Sequence, residues 1–150
     1  MATSKLTATT HSLIDRLQSQ IQSYQSQIED LELRDRVLKL LEVHQSVNKL
    51  GIALAAEGGL SSSSAKGRIK DYLLKYANHV IEADELSAIS GILDYGRRVR
   101  ELRDEGLTIL TGPARHPSTG MPLTSHQYLL VEHSRSPKKK ASGDGTPARR

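Results

Sequence analysis

The sequence predicts a mainly α-helical protein with a small β-hairpin, in which an N-terminal coiled-coil helix precedes a winged helix-turn-helix domain. Three observations carry this expectation. Apolar residues recur every three or four positions from Ile14 to Leu31. A run of Gly and Ser at 58–64 separates that stretch from the rest of the chain. Beyond it, two short helical patterns meet at Gly91 and lead through Gly106 into apolar segments divided by a loop rich in Gly and Pro.

The first element follows from its seam. Residues 1–11 are polar and Thr-rich, and are expected to be disordered. Ser12 and Asp15 fit a capping box that opens a helix. Ile14, Ile21 and Ile28 then occupy a positions of a heptad, with Leu17, Tyr24 and Leu31 at d. Ile at a with Leu at d favours parallel two-stranded coiled coils. Glutamines flank the seam (Gln18, Gln20, Gln25 and Gln27), so charge steering between different partners is weak. An intramolecular helical hairpin is the other reading of the seam, but the following residues show no clean matching heptads. A homodimer through these six residues is therefore the expectation. Helical character continues to about residue 57, as one helix or as two with Gly51 as a weak point, and 58–64 reads as a flexible linker.

The second half is read element by element. Residues 65–77 form a helix with Ile69, Tyr72, Leu73 and Tyr76 on one face. Val80 and Ile81 suit a very short strand. Helices are expected over 84–90 and 93–105, because Leu86 and Ile89 share one face, Gly91 allows the turn, and Ile92, Tyr95, Val99 and Leu102 mark an inner face. Residues 107–111 and 127–132 read as strands, and 112–126 as an irregular loop, the wing. Residues 65–133 make the domain; 134–150 are expected to be a disordered basic tail.

Composition limits the possibilities. There are five Tyr and no Trp or Phe, so the core is expected to be small. Cysteine is absent, which removes disulfides, thiol nucleophiles and cysteine-bound zinc, and fits a reducing, cytoplasmic setting. No signal peptide or membrane-spanning run is seen. The net charge of +4 is misleading. Residues 133–150 hold six basic and one acidic side chain, which leaves 15 basic and 16 acidic side chains elsewhere, a net of −1. The six His residues lack metal-ligand spacing, no Gly-rich loop has a phosphate-binding context, and no nucleophile has a base nearby. A non-enzyme without cofactor or metal is expected.

The helix at 93–105 carries the candidate chemistry. With Val99 and Leu102 turned inward, Asp94, Arg97 and Glu101 point outward, flanked by Arg98 and Arg100. Arginines on the N-terminal half of such a helix suit the major groove of DNA. Residues 94–105 hold four Arg and four acids, so a solvated or protein-binding face laced by ion pairs is the competing reading.

Residues 66–132 resemble a winged-helix module of bacterial and archaeal proteins, including DNA-binding parts of HNH-type endonucleases. The likeness runs through Lys66-Gly67-Arg68-Ile69, Tyr72-Leu73, Asp84-Glu85-Leu86 and Ser90-Gly91-Ile92, then through 95–103 and Gln127-Tyr128-Leu129-Leu130. Gly96 departs from the usual Ala, and no His-Asn-His nuclease constellation exists, so nuclease activity does not carry over. The resemblance implies DNA binding. The expected function is homodimeric duplex-DNA binding, in the service of transcription regulation. Arg97 and Arg98 would read or anchor in the groove, with Leu93, Asp94 and Glu101 beside them. Lys66 and Arg68 would clamp phosphates, Arg115 would reach out from the wing, and Lys138, Lys139 and Lys140 would attract phosphates from the tail. Two alternatives stand beside it: an adaptor that uses both modules for protein contacts, as in a phage or defence assembly, and a specificity component of a restriction system.

Overall fold

The computed structural model describes residues 5–60 and 62–132. The expectations for the basic tail and its lysines lie outside these residues. The described chain is mainly helical with one small three-stranded antiparallel sheet, as the sequence predicts.

The N-terminal half folds as an antiparallel helical hairpin. Helix α1 spans Ala8–Gln27, a 3-10 turn covers Ile28–Asp30, and α2 spans Leu33–Glu57. The helix starts earlier than the predicted Ser12 cap, within the stretch expected to be disordered. Thr7 is the N-cap, accepting from the Thr10 amide at 3.3 Å. The start is fixed from the far end of α2: Glu57 Oε1 accepts from the Thr7 amide at 2.8 Å and from Thr10 Oγ1 at 2.6 Å. These hydrogen bonds, that from Thr10 foremost, hold the Glu57 carboxyl below the usual carboxylate range.

The seam expected to pair two chains lies in this hairpin instead. Thr10 faces Glu57 at one end, and Tyr24 and Val43 line a common cleft further along. Ile14, Leu17, Tyr24, Ile28 and Leu31 are half-buried, while Ile21 is 48 % exposed. On α2, Val43, Ala53 and Glu57 share clefts or hydrogen bonds with α1, and Ser46 and Leu50 fall between them at spacings of three and four. Ser46 is only 7 % exposed, and its polarity hides the spacing from a hydrophobic pattern. The reversal at 28–32 needs neither Gly nor Pro. Arg36 Nε donates to Leu31 O at 2.7 Å and Nη2 to Glu29 O at 3.4 Å, tying carbonyls of the turn to the first turn of α2.

Glycines 58 and 59 end α2 and do not act as a loose linker. The amides of Gly58, Gly59 and Leu60 return to the carbonyls of Leu54, Ala56 and Ala55, with Gly59 at φ 85°. Leu60 is buried, and Lys75 Nζ donates to Gly58 O at 2.7 Å. Ser64 then caps α3 (Ala65–Lys75), accepting from the Gly67 amide at 3.0 Å.

The second half runs α3, β1 (Ile81–Glu82), α4 (Ala83–Ser90), α5 (Tyr95–Asp104), β2 (Ile109–Thr111) and β3 (Gln127–Leu130). Strand β3 lies between β1 and β2, pairing Ile81 with Tyr128 and Ile109 with Leu130. Helix, strand, helix, helix and two further strands follow in the order the sequence predicts. Ile69, Leu73, Ile81, Leu86, Val99, Leu102, Ile109 and Leu130 form its core, with Tyr95 and Tyr128 packed edge-on beside them. The wing is more ordered than the expected irregular loop. Arg115 bridges Pro122, Leu123 is buried, and its amide donates to Ala114 O at 2.8 Å.

The two halves are joined where α2 crosses α4. A Cβ placed on Gly51 would lie 2.0 Å from Ala88 O, a separation that no real Cβ tolerates. Gly51 is therefore a site of close helix approach, not the weak point expected from sequence. In an isolated helix Gly→Ala stabilises by up to ~1 kcal/mol. Here Gly51→Ala is expected to destabilise by about 1–3 kcal/mol through overpacking, read as a fall in thermal midpoint. A rise would show that α2 does not press on α4.

The Glu57 anchor sets a pH dependence for the hairpin. A carboxyl whose folded-state pKa is depressed contributes stability above its ordinary range and loses it as pH falls through the lowered value. The protection of the first-turn amides of α1 against hydrogen exchange, taken relative to the intrinsic rate at each pH, should therefore fall on acidification below the ordinary carboxylate range. In Glu57→Gln this protection should already be lower at neutral pH and change little with acid.

Candidate nucleic-acid interface

Helix α5 begins where the turn after α4 places it. Gly91 ends α4 in the left-handed region at φ 70°, and its Cα lies so close to Ile52 of α2 that an added Cβ would sit 2.7 Å from Ile52 Cδ1. Asp94 then caps α5, its carboxylate accepting from the Arg97 amide at 3.3 Å. Val99 and Leu102, 1 % and 0 % exposed, lock the inner face to the core as predicted. What remains outside is divided into two sides of different character.

The side toward α3 is electrically closed. Arg98 Nη1 donates to both oxygens of Glu101, at 2.7 and 2.9 Å, and Lys66 pairs with Glu105. The Arg98 hydrogen bond is the main reason that the Glu101 carboxyl lies below its ordinary range. Lys66 is raised, first by its hydrogen bond to Glu105. Lys66 and Arg98 therefore face acids of their own chain.

The side toward the wing is open and basic. Arg97, Arg100 and Arg103 line a shallow cleft of about 320 Å³ together with Asp94 and Gly96. Thr111, Gly112, Ser125 and Tyr128 of the sheet and wing base form its other wall. The charged lining is three guanidinium groups and one carboxylate, a net of +2. Arg97 is 63 % exposed and reaches Glu101 only through Nε at 3.3 Å. Arg100 makes no hydrogen bond or ion pair among the described residues; the pair with Asp104 that its spacing allows is not formed. Arg103 Nε donates to Ile109 O at 2.8 Å, which fixes its planar group against the first strand of the wing. Thr111 Oγ1 is buried and makes no hydrogen bond among the described residues. Burial raises the Tyr128 hydroxyl, while the nearby charges of Arg103 and Arg100 pull it back.

The predicted residues separate accordingly. Arg97 and Asp94 line the cleft; Glu101 sits between its edge and the closed side. Leu93 stands 76 % exposed just before α5. Arg115 is on the exposed wing, outside the cleft, with Nη1 donating to Gly120 O at 2.9 Å. Arg68 is not where a phosphate clamp requires it. Only 7 % exposed, it donates to Ile89 O at 3.2 Å, Ser90 O at 2.7 Å and Ser63 O at 2.9 Å. It ties α3 to the end of α4, and burial lowers its pKa. Arg100 and Arg103 are the residues the sequence reading passed over. Their signal was present: 97, 100 and 103 are spaced three apart, which puts them on adjoining turns of one helix flank. Among the described residues, no three His, Cys, Asp or Glu side chains gather as a metal site, and no helix is long and apolar enough to cross a membrane.

These placements separate structural from surface arginines. Arg68→Met should cost about 2–3 kcal/mol, because three carbonyls lose a charged donor in a buried setting. Arg97→Ala should change stability by under about 0.5 kcal/mol, as is usual at exposed positions. Denaturant unfolding of the two variants measures both, and equal effects would overturn the division.

A family model described as the KpnI N-terminal domain matches residues 66–131, which span α3 through β3 and include every residue lining the cleft. No curated protein and no solved structure matches the chain.

Proposed function

We propose that this protein is a non-catalytic duplex-DNA-binding component of a restriction-type system, with the cleft between α5 and the wing as its contact surface. The observation that carries this reading is the sorting of charge on α5. The helix is neutral in total, yet Glu101 and Glu105 are engaged by Arg98 and Lys66 on one side. That leaves Arg97, Arg100 and Arg103 together on the other. A helix with arginines at its leading end and flank, next to a β-hairpin, suits entry into a major groove. Leu93 adds an exposed apolar group at that end, the kind of contact a thymine methyl accepts. The matched family is related to restriction enzymes, which favours this setting over the transcription regulation expected from sequence.

Self-association is the second part of the proposal, moved from the α1 seam to the outer face of α2. Leu33, Val37, Leu40 and Leu41 are 75, 46, 52 and 51 % exposed there. Two copies joined by this face would bind two half-sites, and such linkage raises apparent affinity by ~10²–10⁴. Residues 1–132 carry a net charge of −1, so pairing would offset weak general attraction to DNA.

Selection of bound duplexes from a random pool tests both parts. The full-length chain with Lys138, Lys139 and Lys140 changed to Gln is expected to enrich a defined sequence, arranged as an inverted repeat. Arg97→Ala in that background should lose the enrichment. A single asymmetric site would remove the dimer and keep the DNA reading. Failure to retain any duplex at low salt would remove the DNA reading and favour a role in protein contacts.

A further inference from the structure

Three glycines lie inside helices of the described residues, and the fold explains two of them. A Cβ on Gly51 would strike Ala88 O of α4, and one on Gly67 would strike Ser62 Oγ ahead of α3. The third, Gly96 in the first turn of α5, has no such reason. A Cβ added there would meet nothing within 4 Å, and its backbone is not in the left-handed region. Glycine weakens a helix relative to alanine, because it gives up more backbone freedom on folding. The chain bears that cost at a position where its own packing does not require it.

The surroundings of Gly96 are chemically specific. It lines the basic cleft together with Arg97, Arg100 and Arg103. Positions 96, 100 and 103 are spaced four and three apart, which sets them along one line of the helix, with Arg97 beside it. Leu93 stands just before that line, and Leu93, Arg97 and Arg100 are all exposed. Gly96 therefore leaves a gap among long side chains that face outward. Backbone bared in this way permits the close approach of another molecule.

We infer that Gly96 is a positioning residue, the point at which α5 comes closest to a DNA duplex, and that its missing side chain sets how deeply the helix seats. The assignment rests on the DNA reading above and adds to it a requirement of shape. A major groove is about 12 Å wide and a helix with its side chains about 10–12 Å across, so little room is left over. Arginine side chains can turn along the groove. A Cβ is fixed to the backbone and cannot yield. A methyl group at position 96 would hold the helix away from the base edges that Arg97 and Leu93 are proposed to meet.

The test compares the full-length chain with its Gly96→Ala and Gly96→Leu variants. Each is measured for thermal midpoint, for affinity to a duplex selected by the unaltered chain, and for affinity to a random duplex of equal length. Gly96→Ala should raise the midpoint by about 1–3 °C, since the helix improves and nothing is displaced. Its affinity for the selected duplex should fall about tenfold, comparable to the loss of one base contact. Gly96→Leu should lose about a hundredfold or more. Binding to the random duplex should stay as in the unaltered chain, because it depends on charge and not on groove depth.

A variant that is more stable yet reads its site less well is a result that a purely structural glycine does not give. If Gly96→Ala lowers the midpoint, the fold itself needs the glycine and the assignment is overturned. Unchanged affinity for the selected duplex in both variants would also overturn it, while leaving the DNA reading in place. So would an equal loss on both duplexes, which would mean that groove depth is not what position 96 controls. If the unaltered chain binds no duplex at all, the DNA reading falls and the role of Gly96 falls with it.

Discussion

The buried guanidinium of Arg68 is the constraint on which the second half of the molecule depends. It sits on α3 yet satisfies two carbonyls at the end of α4, so it fixes where the chain leaves that helix. The same group holds Ser63 O, so the segment before α3 and the turn after α4 are drawn to one point. Gly91 then reverses the chain, Asp94 starts the next helix, and the orientation of α5 follows. An arginine with this many buried acceptors cannot be replaced by lysine without loss, since an ammonium has no planar fork to serve three directions. The cleft owes its shape to a cation that never meets solvent in quantity.

A second organising fact is that opposite flanks of one short helix have opposite electrostatic fates. Its four arginines and four acids cancel in any count by composition. In three dimensions, Arg98 pairs with an acid of its own helix and Lys66 of α3 pairs with another, while three guanidinium groups line the opposite flank. Surface ion pairs contribute little stability, commonly under ~1 kcal/mol. Their importance here is in neutralising acids that would otherwise repel an anionic partner. Local arrangement gives the helix a polarity across its width that its net charge conceals.

Much of the fold was legible in the sequence because the relevant signals are local. The inward set Val99 and Leu102, the turn at Gly91 and the helix–strand order all follow from periodicity and backbone freedom. The places where the reading departed from the structure share a different cause, namely dependence on a partner distant in sequence. The α1 seam was assigned to a second chain because its true partner on α2 includes Ser46 and Ala53, which weaken a hydrophobic pattern. Gly58 and Gly59 looked like a linker because a glycine run does not disclose whether the following Leu60 finds a core. Arg68 looked available because nothing around it in sequence announces burial. Arg100 and Arg103 were passed over in favour of Arg97 and Arg98, although helical geometry alone separates the two flanks. The wing's contribution to the cleft, through Thr111, Ser125 and Tyr128, needed strand pairing to bring it there.

The contact of Gly51 with Ala88 has a mechanical meaning beyond packing. Helix α2 is pressed onto the same helix that positions α5, so the hairpin and the arginine cleft turn as one body. On the proposed DNA reading, the hairpin would act as a stiff arm whose bearing relative to a duplex is set by the fold. Two copies joined through such arms would hold their clefts at a fixed angular offset, and B-form DNA completes a turn in about 10–10.5 base pairs. Tolerance for extra base pairs between half-sites would then recur with the helical repeat, because only whole turns return the second groove to the same face.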